Sequence, residues 1–299
     1  MYVVLGASGH TGHIVAKTLL AGGQKVRVFG RNAAHLQPLA AEGAEISVGD
    51  VTDVSALSKA FQHAESAYVM IPPNLTSNDV RAYQEQVSDA IATAAKNAGV
   101  KNIVSLSSIG ADKTSGTGPV VGLHSLEQKL NQITGANVLH LRAGYFMENT
   151  LPQVGAIRMT GNVVGPIRGD LKLPMIAAQD IGNIAGQALL GLAFRGKQTQ
   201  ELHGQCDISY AEVAKIIGQA IGKPGLGYIQ ALDNQVRTAM VQMGMSENFV
   251  GQLLEMAGAV NSGHMRPLEP RTASNTTPTS YETFVAEFFV PAYQHQAAA

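Results

Sequence analysis

Residues 3–15 read VVLGASGHTGHIV, and this segment establishes the type of fold. The apolar run before Gly6 predicts a strand, and the segment after Gly12 has the apolar spacing of a helix. Gly6, Gly9 and Gly12 lie between them at the spacing G-x-x-G-x-x-G. Gly6 allows the tight turn, Gly9 allows the backbone to approach a diphosphate closely, and Gly12 allows the helix to pack closely on the strand. A strand, a glycine loop and a helix in this order predict a dinucleotide site, with the helix N-terminus facing the phosphates.

The first 150 residues alternate between predicted strands and predicted helices. After the first strand, further strands are predicted over 26–29, 45–48, 67–71, 102–106 and 138–141. Helices lie between them, the longest over about 78–98. This alternation predicts an α/β fold of the Rossmann type, a doubly wound parallel sheet with helices on both faces.

The pattern changes after residue 149, where Pro and Gly become frequent and most of the predicted elements are helices. Those helices are expected over about 180–194, 210–221, 234–243, 247–258 and 281–289. Ser209 and Glu212 have the spacing of a capping box, which predicts the start of the second of these helices. A short strand is also expected near 201–203. We therefore expect a dinucleotide-binding Rossmann domain over 1–150. A smaller, mostly helical substrate-side lobe is expected over 151–299, with some of its segments returning to the first domain.

The residue after the second predicted strand indicates which dinucleotide binds. NAD-binding units place Asp or Glu there, roughly 20 residues after the loop, to hold the ribose 2′-hydroxyl. This chain has Arg31 at that place, and its first acidic residue is Glu42. A guanidinium pairs with a 2′-phosphate, which an acid would repel, whereas the alternative is a solvated surface arginine. The position favours NADP(H).

Composition excludes several other classes of protein. The net charge is −1, with 21 basic and 22 acidic residues spread evenly along the chain, so no basic face predicts nucleic-acid binding. The single Cys206 excludes an internal disulfide, and the nine His residues are scattered, so no metal site is expected. Charged residues make up only 14% of the chain, which an enzyme-like interior or a subunit interface would explain. A homodimer is therefore one of the alternatives.

No apolar run approaches the ~20 residues that span a bilayer. Residues 1–5 already read as a strand rather than as a signal peptide. We expect a cytoplasmic protein that binds a small-molecule electron acceptor and neither nucleic acid nor membrane.

Beyond the glycine loop, the chain resembles the NmrA-like group of atypical short-chain dehydrogenase/reductases. The motifs that carry this resemblance are GASGHTG at 6–12, FGRN at 29–32, VGDVTD at 48–53, LSSIGA at 106–111, HSLEQKL at 124–130, LRAGYFMEN at 141–149, DIGNIA at 180–185 and SYETFVAEF at 280–288. The run 124–149 is the most specific, whereas the glycine loop is shared with much larger groups. The resemblance is closest to small NAD(P)H-dependent quinone and dye reductases. It implies hydride transfer to a quinone or a similar flat, electron-poor acceptor.

Other members of the group are redox-sensing regulators that bind the dinucleotide without evident chemistry. A non-catalytic NAD(P)-sensing protein is therefore the alternative function.

The resemblance also implies roles for individual positions. Asp50 and Val51 are expected at the adenine, Pro72 and Pro73 beside the nicotinamide ribose, and Ser107 at the floor of the site. Each has a structural alternative, such as a turn or a strand end. The expected cofactor-binding set is Gly6, Ala7, Ser8, Gly9, His10, Thr11, Gly12, Arg31, Asp50, Val51, Ile71, Pro72, Pro73 and Ser107. The residues expected at the junction of cofactor and substrate are Tyr145, Phe146 and Asn149, of which the two aromatic residues could instead be ordinary core.

The Tyr-x-x-x-Lys pair of mainstream short-chain dehydrogenases is absent. His124 stands where the Tyr would be, and Gln128 follows at the Lys position. The absence argues against ketone–alcohol interconversion, whose alkoxide-like product needs a positioned proton donor. A quinone gives a phenolate with a pKa of about 10, which water or one His can protonate. His124 is the candidate catalytic residue, as proton donor or substrate-orienting group, although it could simply open a helix.

Overall fold

The structure is a computed structural model that describes residues 1–295. The strands are β1 (Tyr2–Leu5), β2 (Val26–Gly30), β3 (Glu45–Val48), β4 (Ser66–Val69), β5 (Asn102–Ser108), β6 (Asn137–Ala143), β7 (Tyr145–Phe146), β8 (Val163–Gly165), β9 (Leu173–Ile176), β10 (Lys197–Leu202), β11 (Asp207–Ile208) and β12 (Tyr228–Gln230). The α-helices are α1 (His10–Ala21), α2 (Gln37–Ala41), α3 (Val54–Ala60), α4 (Val80–Ala98), α5 (Val120–Asn131), α6 (Gln153–Thr160), α7 (Ala178–Gly191), α8 (Tyr210–Ala220), α9 (Asp233–Gln242), α10 (Glu247–Ser262), α11 (Tyr281–Phe284) and α12 (Val290–His295).

Seven strands form one parallel sheet in the order β10-β6-β5-β4-β1-β2-β3. The order reverses between β1 and β4, which is where ligands bind in doubly wound sheets. The predicted α/β class and doubly wound topology are therefore confirmed.

Both faces of the sheet are covered, which explains why its central strands are apolar along their whole length. Val3 and Leu5 of β1 pack in a core cluster with residues of α3, α4 and α5. Val4, on the other face, packs in a second cluster with residues of α1 and α7. This sandwich holds the carboxyl ends of the strands rigidly at one edge.

Two elements from the second half of the chain return to the first domain. The strand expected near 201–203 is β10, which pairs in parallel with β6 at the edge of the large sheet. Helix α7 packs so closely on α1 that a Cβ at Gly186 would lie 2.7 Å from the Cβ of Thr18. The proposed boundary near residue 150 stays a prediction, and residues 296–299 of the expected lobe lie outside the described part of the chain.

The remaining elements form a lobe with its own core. Strands β7, β9 and β11 make one small sheet, and β8 pairs with β12. A core cluster joins α6, α8 and the C-terminal helices, and a small separate cluster joins α9 to α10 through Val236, Val250 and Leu254. The capping box predicted at Ser209 and Glu212 opens α8, as expected. Within residues 1–295, no helix has the length and apolar character needed to cross a bilayer.

Candidate active site

The glycine loop closes directly on the end of β1. Gly6 has φ +65°, a conformation that side-chain-bearing residues rarely adopt, and its carbonyl accepts a hydrogen bond from the Gly9 N–H at 2.9 Å. A Cβ at Gly12 would lie 2.4 Å from the Gly6 carbonyl oxygen, so only glycine allows this close packing. A Cβ at Gly6 would lie 2.8 Å from the sulfur of Met70, just after β4. The loop therefore spans the point at which the strand order reverses.

The N-terminus of α1 is open to an anion. Gly9 is its N-cap, no side chain caps it, and its first turn contains no acidic residue. Ser8, Gly9 and His10 are exposed, whereas Ala7 and Thr11 are buried. Tyr68 donates a hydrogen bond to the Thr11 hydroxyl at 2.8 Å, which fixes the helix start on β4. Free N–H groups at a positive helix end fit the diphosphate of a dinucleotide.

Arg31, Asp50 and Tyr83 lie together beyond the ends of β2 and β3. Arg31 and Asp50 are exposed, and the adjacent Val51 is buried. Hydrogen bonds from the Thr52 hydroxyl and backbone lower the pKa of Asp50, and the positive charge of Arg31 adds to the effect. Burial raises the pKa of Tyr83, which also lies within the electrostatic reach of Asp50 and Arg31. These three side chains present one cation, one anion and a phenol on the β2–β3 side of the glycine loop.

Two adjoining cavities continue the cleft from the loop edge towards the lobe. The first, named here the strand-end cavity, has a volume of about 260 Å³. Five predicted site residues line it: Ile71, Pro72, Pro73, Ser107 and Phe146. Its lining residues include no Asp, Glu, Lys or Arg. It is therefore an uncharged space beside the ends of β4 and β5.

The second, named the lobe cavity, has a volume of about 200 Å³. The predicted substrate-side residues Tyr145, Phe146 and Asn149 line it, and Phe146 and Ser108 line both cavities. Its charged lining residues are Lys172 and Arg266. The structure thus brings the three substrate-side residues together next to the strand-end cavity.

A buried polar network lies under the strand-end cavity. The Ser107 hydroxyl donates to the Glu127 carboxylate at 2.6 Å. Arg142 binds that carboxylate through two hydrogen bonds, of 2.9 Å and 2.6 Å. Because its proton is held by Glu127, Ser107 offers the cavity only acceptor electron pairs.

Tyr145 lines the lobe cavity, and its hydroxyl lies 2.9 Å from that of Tyr210. Burial raises the pKa of Tyr145 above its usual value. The phenol therefore stays neutral at ordinary pH and can donate or accept a hydrogen bond.

Glu148 lies near the glycine loop, and the sequence motifs did not single it out. Its Oε1 accepts from the Ala178 N–H at 3.0 Å, at the start of α7, and its Oε2 is buried with no partner among the described residues. Burial raises the pKa of Glu148, Asp180 adds to the increase, and His10 of the glycine loop opposes it. The carboxyl group therefore lies near the loop, although the two are far apart in sequence.

His124 does not line either cavity. It lies partly buried on α5, where its Nδ1 donates to the Ala111 carbonyl at 2.8 Å. This bond ties α5 to the loop that follows β5. Lys129, five residues on, binds Glu85 and Asp89 on α4 and so points away from the cleft. The catalytic role of His124 stays a prediction.

Helix α10 contributes lining residues to both cavities, and the sequence motifs did not identify them. Phe249 and Leu253 line the strand-end cavity, whereas Met256 and Val260 line the lobe cavity. Their spacing is that of one helix face, and this was the available signal. Sequence alone could not choose this face over the one that packs on α9.

The chain matches a known family along almost its whole length. The model of the NmrA-like family matches residues 2–289. The chain is 30% identical over 256 residues to the NAD(P)H azoreductase of Xenophilus azovorans, covering 86% of each protein. It is 27% identical over 265 residues to quinone oxidoreductase 2 of Escherichia coli, covering 88% of this chain and 89% of that protein.

Among solved structures, the fold is similar to that of an NADPH-dependent quinone oxidoreductase from Escherichia coli in complex with NADPH. The TM-score is 0.81 at 24% identity, over 97% of this chain and 100% of that chain. At this level of identity the likeness shows a shared fold.

Proposed function

The chain belongs to the NmrA-like family and is an NAD(P)H-dependent oxidoreductase, and on this basis we propose that it transfers hydride from NADPH to a quinone or similar flat, electron-poor acceptor. The observation that carries the proposal is the continuity of the cleft. It runs from the open N-terminus of α1, past the end of β4, into an uncharged cavity that opens on the lobe.

The residues present fit a dinucleotide. The loop 6–12 would hold the diphosphate, Arg31 the 2′-phosphate, and Pro72, Pro73 and Ser107 the nicotinamide end. When bound, the reduced nicotinamide supplies a hydride, that is, two electrons and one proton.

The remaining work of the protein is to hold the acceptor and exclude water. Phe146 lines both cavities and offers an apolar surface against which a flat ring can lie. A quinone that accepts a hydride becomes a hydroquinone anion, and one further proton completes the reduction. Because a phenolate of this kind has a pKa of about 10, water can supply that proton without a Tyr–Lys pair.

His124 retains a supporting role in this proposal. Its bond to Ala111 holds the loop after β5 beside the cleft. A neutral imidazole that donates through Nδ1 keeps Nε2 as an acceptor, so it delivers a proton only when doubly protonated. We therefore assign His124 as a positioning residue first and a proton donor second.

The test is NADPH oxidation with a panel of quinones and azo or triphenylmethane dyes. We expect turnover with at least one flat acceptor and none in Gly9→Val, whose side chain would stand where the diphosphate must lie. Tight NADPH binding without turnover of any acceptor would refute the catalytic proposal and favour the dinucleotide-sensing alternative.

A further inference from the structure

We propose that this site selects acceptors that carry an anionic group, a carboxylate or sulfonate on a flat ring system, and that Arg266 binds that group. The inference rests on the proposed function, because it names the acceptor class of the same site.

The two cavities differ in charge. The strand-end cavity has no charged lining residue, whereas the lobe cavity is lined by Lys172 and Arg266 and by no Asp or Glu. The rest of the lobe cavity is largely apolar, with Phe146, Leu173, Met256 and Val260 among its walls. An acceptor that fills both cavities therefore meets a neutral region near β4 and β5 and positive charge in the lobe.

The charge of Lys172 is already balanced. Its ammonium group forms an ion pair with Glu212 on α8. This ion pair, together with hydrogen bonds from Ser209, lowers the pKa of Glu212 to about 2. Lys172 and Glu212 thus form a neutral pair at the cavity wall.

Arg266 differs from Lys172, because its exposed side chain has no hydrogen bond or ion pair with any residue in 1–295. The cation that remains unbalanced at this cavity is therefore Arg266. A guanidinium presents parallel N–H groups that match the oxygens of a carboxylate or sulfonate.

The backbone around Arg266 is fixed on both sides, so its position is not arbitrary. Before it, Gly263 ends α10 at φ +75°, and the Met265 N–H bonds the Ala259 carbonyl at 3.0 Å. After it, the N–H groups of Leu268 and Glu269 donate to the buried Glu201 carboxylate at 3.0 Å. An arginine held at the cavity between two anchors is suited to recognition.

The experiment compares a neutral and an anionic acceptor with the same ring, naphthoquinone and naphthoquinone sulfonate. Arg266→Gln should raise KM for the sulfonate about two- to fivefold, as expected for an exposed ion pair, and leave kcat nearly unchanged. KM for the neutral quinone should change less than the measurement error. Arg266→Lys should restore part of the preference, and added salt should weaken it.

Lys215→Gln is the matched control, because it removes one exposed cation from the same lobe without lining either cavity. It should leave both KM values unchanged. Equal effects of Arg266→Gln on both quinones, or no effect on either, would overturn the inference.

A binding measurement keeps the inference testable without turnover. With NADP⁺ present, wild-type protein should bind naphthalene sulfonate more tightly than the neutral naphthalene sulfonamide, and Arg266→Gln should abolish the difference. That result without turnover of any quinone would sustain the anion site while refuting the proposed reductase. Equal binding of the two compounds to wild-type protein would refute the anion site.

Discussion

The choice between NADPH and NADH should depend on Arg31, and Arg31→Gln tests this directly. The guanidinium is exposed beyond the end of β2, within electrostatic reach of the exposed Asp50 carboxylate. A hydrogen bond to a charged group contributes about 1.5–3 kcal/mol. Because Arg31 is solvated and Asp50 repels a phosphate, we expect the lower end. The variant should therefore bind NADPH about tenfold more weakly and NADH with unchanged affinity.

The partner variant Asp50→Asn should act in the opposite direction. Asn retains an oxygen that can accept from Thr52, so the local turn is preserved while the negative charge is removed. Two unit charges at 4 Å in water interact by about 1 kcal/mol, so the gain in NADPH affinity should be about fivefold at most.

The assay is titration followed by reduced-nicotinamide fluorescence, which no Trp complicates, since the chain contains none. Lys25→Gln is the control, because it removes an exposed cation just before β2, at the end of the strand opposite to Arg31. Equal losses of NADPH and NADH affinity in Arg31→Gln, or no loss of either, would refute the assignment of Arg31 to the 2′-phosphate.

The glycine loop, His124 and His140 each provide a further test. Gly9→Val should abolish NADPH binding with little change in Tm, whereas Gly12→Ala should also destabilise the fold by about 1–3 kcal/mol, because its Cβ would lie 2.4 Å from a loop carbonyl oxygen. NADPH titration and thermal unfolding distinguish the two variants. Unchanged NADPH affinity in a folded Gly9→Val protein would place the phosphates elsewhere. His124→Ala should lower kcat/KM for a quinone by less than about 100-fold and leave NADPH affinity intact. His124→Asn, whose amide can still donate to the Ala111 carbonyl, should restore most of the lost kcat/KM. Turnover equal to wild type in both variants would remove His124 from the mechanism. Burial lowers the pKa of His140 to about 4, so between pH 6.5 and pH 4 this imidazole binds a proton in the unfolded chain but not in the folded one. The free energy of unfolding should therefore drop by up to about 3 kcal/mol as the pH falls through this range. Denaturant titrations should show a shallower pH dependence of that free energy in His140→Gln, and the same pH dependence as in wild type would contradict the reasoning.

The amino-acid sequence was sufficient to predict the fold class, which the structure confirms, and to propose the end of the sheet at which the cofactor binds. The glycine loop and the alternation of strands and helices are local signals, because turn conformation and apolar period depend on neighbouring residues. Parallel strands then bring their carboxyl ends to one side of the sheet, which is why Gly6 and Arg31 could be grouped from the sequence pattern. The family resemblance, and not the pattern, added Asp50 and Pro72 to that group. Local capping chemistry likewise identified Ser209 as the start of a helix.

Which residues complete the site depends on tertiary packing. Strand β10 was recognisable as a strand, but its place beside β6 depends on a pairing between segments distant in sequence. Glu148 lies near His10 only because α7 packs on α1, and the cavity-facing side of α10 is fixed by what the helix meets on each face. The position of Arg266 depends on backbone bonds to the buried Glu201 carboxylate. These features arise from long-range packing and burial, on which local propensity and spacing carry no information.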